Sequence, residues 1–207
     1  MGFHIRKLGR RSYEPVWHAM QHFTEERDVD TADELWLVEH EPVYTLGLNG
    51  DPSDILGPLE APLVRTDRGG QVTYHGPGQL VLYVLLDLQR RRLGVRPLVS
   101  FLETAVIRML TQYGIEADAR RDAPGVYVEG RKIASLGLRV RRGCCYHGIA
   151  LNVNPDLEPF RRIHPCGHPG LEVTRLTDWG VDATVWDPAA PLVRELMIKL
   201  GDEEILP

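Results

Sequence analysis

VYVEGRKIASLG, residues 126–137, sets two short β-rich runs on either side of Glu129-Gly130. Such a pair reads as a hairpin turn, which joins antiparallel neighbours and leaves no space for the helix of a parallel crossover. Outward from it the same kind of run recurs as ELWLVEH (34–40), PVYTLG (42–47), PLVRTD (62–67), QLVLYVLLDL (79–88), PGVYVEG (124–130), KIASLGLRV (132–140) and HGIALNV (147–153). Helical spacing occurs in three places. Residues 12–23 carry Val16, Met20 and Phe23 on one face. Residues 97–113 carry a stripe from Leu98 through Leu102, Val106 and Met109 to Tyr113, opened by Pro97 and stopped by Gly114. A third helix starts at Asp187 and turns Leu192, Val193, Leu196, Met197 and Leu200 inward before Gly201. Because strands and helices do not alternate regularly, the reading is an α+β domain, a mixed β-sheet flanked by a few helices, and not a doubly wound parallel fold.

A chain of 207 residues with 43% hydrophobic and 26% charged residues has the composition of a soluble globular protein, and one domain over residues 1–207 is the simplest organisation. The net charge of −5 argues against general affinity for nucleic acid. Positive charge is nevertheless bunched at Arg10–Arg11, Arg90–Arg92, Arg139 with Arg141–Arg142, and Arg161–Arg162. Such clusters are either solvated surface or a docking face for an acidic partner, whose approach they would speed. Cys144, Cys145 and Cys166 are an odd set with two adjacent, a poor disulfide framework, so a reducing cytoplasm is expected. No signal-like apolar run opens the chain, and no segment nears the roughly 18 apolar residues of a membrane span. Met1-Gly2 is followed at position 6 by Arg6, which fails the myristoylation pattern. No apolar element asks for a partner, and a monomer is expected.

Three stretches carry chemistry. RGGQVTYHGPGQLVLY (68–83) sets four glycines around Thr73, Tyr74 and His75. Glycine there permits close approach of backbone to a ligand, and equally a plain tight hairpin. No phosphate-binding signature accompanies it. In GRKIASLG (130–137), Lys132 opens a strand of small and apolar residues. It is either an ordinary exposed lysine after a turn or a partly desolvated amine able to act as a base. In HPCGHPG (164–170), His164, Cys166 and His168 are poorly spaced to close a zinc tetrahedron. The prolines and glycines mark a surface loop, where a buried thiol has no packing purpose; a presented nucleophile is the sharper reading.

RGGQVTYHGPGQLV, GRKIASLGLRVRRG, HGIALNVNPDL and HPCG, in this order and spacing, resemble the octanoyl-[acyl carrier protein]:protein octanoyltransferase family of lipoate synthesis. The resemblance runs from about residue 41 to residue 166. It implies the α+β fold of the biotin and lipoate protein ligase catalytic domains. It also implies Cys166 as acyl-thioester nucleophile and Lys132 as its acid/base partner. The walls of the acyl site would be Arg68, Gly69, Gly70, Gln71, Val72, Thr73, Tyr74, His75, Ser135, Leu136, Gly137, Gly148, Ile149 and Ala150. The donor would be octanoyl-acyl carrier protein, and the acceptors lipoyl domains of 2-oxoacid dehydrogenase complexes or the glycine cleavage H protein. Neither metal nor cofactor is implied, since a thioester is already activated. The chain departs from the family in having His164 where asparagine is common and Val84 where a proline follows the tyrosine, and in being richer in proline after Cys166-Gly167. None of these touches the Cys/Lys pair.

A free thiol is only a few per cent ionised at neutral pH, and a neighbouring ammonium stabilises its anion. On this reading the two groups titrate as one coupled pair. Backbone N–H groups near Gly167 or in the glycine-rich loops would hold the oxyanion. Val72, Ile133, Ala134, Leu136, Ile149 and Ala150 are available to line an apolar slot, where each buried methylene contributes about 0.8 kcal/mol. The alternatives are an ATP-dependent lipoate or biotin ligase of the same fold, and a non-enzymatic metal- or carrier-protein-binding module.

Overall fold

The computed structural model describes residues 3–201, so the Met1-Gly2 start lies outside the described residues. A large sheet holds β1 (Phe3–Arg11), β2 (Asp33–His40), β6 (Gln79–Asp87), β10 (Cys144–Asn152), β9 (Arg131–Arg141), β8 (Gly125–Val128) and β7 (Asp118–Ala119), in that spatial order. A second sheet is built from β4 (Leu63–Arg65), β3 (Val43–Leu46) and β5 (Val72–His75). Pairing is antiparallel except for β1 with β2 and β3 with β4, so both sheets are mixed, as expected. β1 escaped the reading because FHIRKLGRR has no alternating apolar face: only Phe3 is buried, and Gly9 at φ +71° shifts the register.

The helices are α1 (Tyr13–Glu26), α2 (Val95–Gln112) and α3 (Ala189–Leu200). In α2 the stripe Leu98, Leu102, Ala105, Val106, Met109 and Leu110 is buried, against Leu192, Leu196 and Met197 of α3 and one face of the large sheet. Truncating a residue such as Leu102 to alanine there costs about 2–5 kcal/mol. On the other face Val16 and Met20 of α1 pack on Trp36, Val38, Val81, Tyr83 and Tyr146. The small sheet has its own core of Tyr44, Leu46, Val72, Tyr74, Phe160 and Ile163.

Several of the arginines that looked like surface clusters are paired. Arg90 Nη2 and Arg27 Nη2 reach Oδ1 of Asp33 at 2.7 and 2.6 Å, Arg91 takes Oδ2, and the carboxylate is almost fully buried. Removing one partner from such a buried set is costly, because it leaves charge uncompensated. Arg10 pairs with Glu39 at 2.9 Å, Arg141 with Glu25 at 2.6 Å, and Arg162 with Glu60.

The hairpin of residues 126–137 forms as read. Val128 opposes Arg131, and the two turn residues are both left-handed, Glu129 at φ +47° and Gly130 at φ +80°. That is the turn whose twist matches antiparallel strands. The register slips one step further on: Val126 faces Ala134 but Tyr127 faces Lys132, leaving Ile133 as an extra residue. Such a bulge re-aims the side chains beside it.

Candidate active site

The bulge delivers Lys132 to the interior, where it is 1% exposed. Its backbone is held from the side that β10 does not reach. Lys132 N–H donates to Glu172 O at 2.8 Å and Lys132 O accepts from Thr174 N–H at 2.9 Å, a parallel bridge to Val173. Asn152 Nδ2, at the end of β10, donates to Thr174 O at 3.0 Å and completes the tie. This segment is the continuation of the loop that carries Cys166. The near side of the loop is fixed by His164 N–H to Asp54 O at 2.8 Å and by the bridge between Ile55 and Ile163.

Between these anchors the chain makes a tight turn at Pro165–Gly167, with Cys166 at φ +57° and Gly167 at φ +67°. A left-handed cysteine costs about 1–2 kcal/mol, the kind of strain that persists where the surroundings over-determine a conformation. Gly167 is needed for a second reason, since a Cβ there would collide with the Gln71 side chain. The outcome is that Lys132 Nζ donates to Cys166 Sγ at 2.9 Å. All three cysteines are free thiols. Cys145 is pushed up to about 12 by burial and hydrogen-bonds Val84 O, whereas Cys166 alone faces a cavity and an ammonium.

The lysine stem is accommodated by Gly125, at φ +146°. A Cβ at that position would stand 2.8 Å from Ala134 O and 3.0 Å from Lys132 Nζ, and closer still to Lys132 Cε. Tyr127 covers the amine from β8, its ring centroid 5.5 Å from Nζ and its hydroxyl donating to Ala123 O at 2.8 Å.

Cys166 sits at the mouth of a narrow cavity of about 50 Å³ between the large sheet and β5 with its preceding loop. Twelve of the expected wall residues line it: Arg68, Gly70, Gln71, Val72, Thr73, His75, Ser135, Leu136, Gly137, Gly148, Ile149 and Ala150. Gly69 and Tyr74 do not. Gly69 faces an outer groove shared with Asn49, Val95, Val99 and Asp122. Tyr74 alternates to the other face of β5 and packs on Tyr44 and Phe160, at ring distances of 5.1 and 5.6 Å. Ile133 and Ala134, taken for the apolar slot, belong to the core under α2, because the bulge turns both to that side. Two glycine N–H groups near at hand are engaged in holding the loops: Gly167 donates to His164 O at 2.9 Å and Gly69 to Leu138 O at 2.9 Å.

Arg68 shapes the wall. Its buried guanidinium donates to Thr45 O and Oγ1, both at 2.7 Å, to Gln71 O at 2.8 Å and to Gly69 O at 3.0 Å, stapling the glycine loop to β3. The closed end of the cavity comes from residues without a sequence signal. Tyr13 of α1 stacks on His75 at 5.8 Å, and Tyr83 and His147 complete the lining. Behind them His40 Nε2 meets the Tyr83 hydroxyl at 2.7 Å. Burial pushes His75 down to about 3 and His40 down to about 4, so both imidazoles are neutral. His147 is lowered as well, chiefly by burial, against the pull of Asp67 at 3.0 Å; Asp67 in turn is held well below the usual carboxylate range by His147, Tyr146, Gln21 and Trp17.

His164 turns its ring to Asp54, 3.5 Å away, and no group of three or more His, Cys, Asp or Glu among the described residues is arranged to hold a metal ion. No helix among them is long and apolar enough to cross a membrane.

The two-sheet fold thus sets a cysteine, hydrogen-bonded to a buried amine, at the mouth of a mainly apolar cavity. The chain belongs to the family of the lipoyl protein ligase A/B catalytic domain, whose model matches residues 12–197. It is 75% identical over 205 residues to the octanoyltransferase of Methylococcus capsulatus, covering 99% of both chains, and 54% identical over 203 residues to that of Shewanella pealeana, covering 98% of this chain and 93% of the relative. Among solved structures it is similar to lipoate-protein ligase A bound with ATP, at TM-score 0.78 and 16% identity over 97% of this chain and 86% of that one. The biotin protein ligase of Aquifex aeolicus shares the fold at TM-score 0.57 and 13% identity, over 97% and 69%. The expected fold and the expected acyltransferase class are both borne out.

Proposed function

We propose that this enzyme carries an octanoyl group from the thioester of acyl carrier protein to the lysine amine of a lipoyl domain, by way of a thioester on Cys166. The lipoyl domains would be those of 2-oxoacid dehydrogenase complexes or the glycine cleavage H protein. What supports the reading is the 2.9 Å contact of Lys132 Nζ with Cys166 Sγ at the mouth of the cavity. In the first half-reaction the sulfur anion attacks the donor carbonyl and the carbon–sulfur bond to the carrier breaks. Lys132 gives its proton to the departing thiol and becomes a neutral amine. In the second half a neutral acceptor amine attacks the Cys166 thioester. The amide bond forms, the carbon–sulfur bond breaks, and the proton lost by the attacking nitrogen passes to Lys132, restoring the ammonium and the sulfur anion together.

The cavity takes the acyl chain, which its apolar lining favours by about 0.8 kcal/mol per methylene. The reading assigns the work to a single catalytic domain, in the cytoplasm. Incubation with octanoyl-acyl carrier protein should add the mass of one octanoyl group to Cys166, and the adduct should vanish on adding a lipoyl domain. Full transfer by Cys166→Ala, or transfer from free octanoate that depends on ATP, would overturn it; the latter is the behaviour of a ligase.

A further inference from the structure

We propose that Glu103, on α2, is a positioning residue for Lys132: it holds the backbone that walls the amine and keeps a negative charge beside it while Cys166 is a thioester. The inference rests on the acyl-transfer reading above. Glu103 is the one acid in α2, and its Oε1 accepts from Gly125 N–H at 3.0 Å. Gly125 is the residue whose missing Cβ is replaced by the Lys132 stem, so the carboxylate fixes the very backbone that the amine lies against. Burial pushes the Glu103 carboxyl up, while the Gly125 N–H and the charge on Lys132 pull it back. The group is thus half-withdrawn from water, and Lys132 acts on it.

The titratable groups facing Lys132 are Cys166 from the loop, Tyr127 from β8 and Glu103 from α2, and Arg68 acts on Cys166 from the glycine loop. On the acyl-transfer reading the Cys166 sulfur is an anion only in the resting enzyme. Once acylated it is neutral and has no anion to offer, and a buried ammonium without a counter-charge is expensive. The proton released by the attacking amine arrives at Lys132 in this interval. Glu103 is the charge that persists through both halves of the cycle, and so it favours acceptance of that proton.

The test follows transfer from isolated octanoyl-enzyme to a lipoyl domain as a function of pH, in wild type, Glu103→Gln and Glu103→Asp. Glutamine keeps an oxygen for Gly125 N–H but not the charge. The pH at which transfer reaches half its maximum should fall by about one unit in Glu103→Gln, because an opposite charge near the base has been removed. In Glu103→Asp, which keeps the charge, it should stay at the wild-type value. A profile for Glu103→Gln that coincides with wild type overturns the proposal. Were the amide variant to fold poorly, a displaced profile in Glu103→Asp would overturn it equally. The two readings fail separately: if wild type forms no adduct on Cys166 the acyl-transfer reading falls, whereas a normal adduct with indifferent profiles removes only the role of Glu103.

Discussion

Both ends of the cavity bury polar groups and treat them oppositely. At the closed end, His75 bonds Gln79 Oε1 at 2.7 Å, His40 bonds Tyr83, and both imidazoles are stripped of charge by burial. Each group there has a fixed partner in one protonation state. At the mouth, Lys132 is as deeply buried, but its partner is a sulfur on a strained turn, one that on the proposed acyl-transfer reading changes from anion to thioester. A buried polar group with a permanent partner builds a wall, and one whose partner changes charge can move a proton.

The largest test of that contrast is Lys132→Met. Octanoyl transfer should fall by about 10²–10⁴-fold. The urea midpoint should hold or rise, because an isosteric apolar chain removes a buried charge. Wild-type transfer in this variant would erase the distinction between the two ends. Gly125→Ala leaves the amine in place chemically but forces it aside, since the new Cβ overlaps the stem. A displacement of about 1 Å predicts roughly a hundredfold slower acylation of Cys166, read by quenched mass spectrometry.

The closed end should instead answer to acid. His75 and His40 have folded values of about 3 and about 4, below the value of about 6.5 in the unfolded chain. The unfolded state therefore binds more protons in that window. Stability is fully present above about pH 6.5 and lost as pH falls toward 4, by up to about 1.4 kcal/mol per pH unit for each imidazole. Urea unfolding at several pH values should show this slope, and His75→Gln should flatten it by one proton. The smallest effects come from a matched pair. Tyr83→Phe removes the hydroxyl on His40 and should cost about 1–3 kcal/mol. Tyr74→Phe, in the small core, should leave transfer at the wild-type rate; a clear loss there would mean that β5 presents its other face to the substrate.

The sequence reaches the mouth of the site more readily than its floor. Cys166 stands out because a cysteine between proline and glycine conflicts with its surroundings, whereas Lys132 reads equally well as an exposed lysine after a turn until the family resemblance singles it out. The glycine-rich loop and the hairpin are equally legible, since turn chemistry is local. Tyr13, Tyr83 and His147 carry no such mark: each looks like an ordinary aromatic or polar residue until distant elements meet. Ile133 and Ala134 mislead because a bulge reverses facing without altering composition. Tyr74 misleads because strand alternation divides a motif that reads as a unit. β1 is missed because an edge strand rich in arginine lacks any periodic signal.

The pairing of residues 172–174 with Lys132 has a consequence for how this protein can vary. Sulfur and amine are brought into register by main-chain bonds on the far side of the turn, so the spacing between them does not depend on what occupies the exposed bend at 168–170. That bend can lengthen, shorten or change composition while the sulfur and the amine keep their separation.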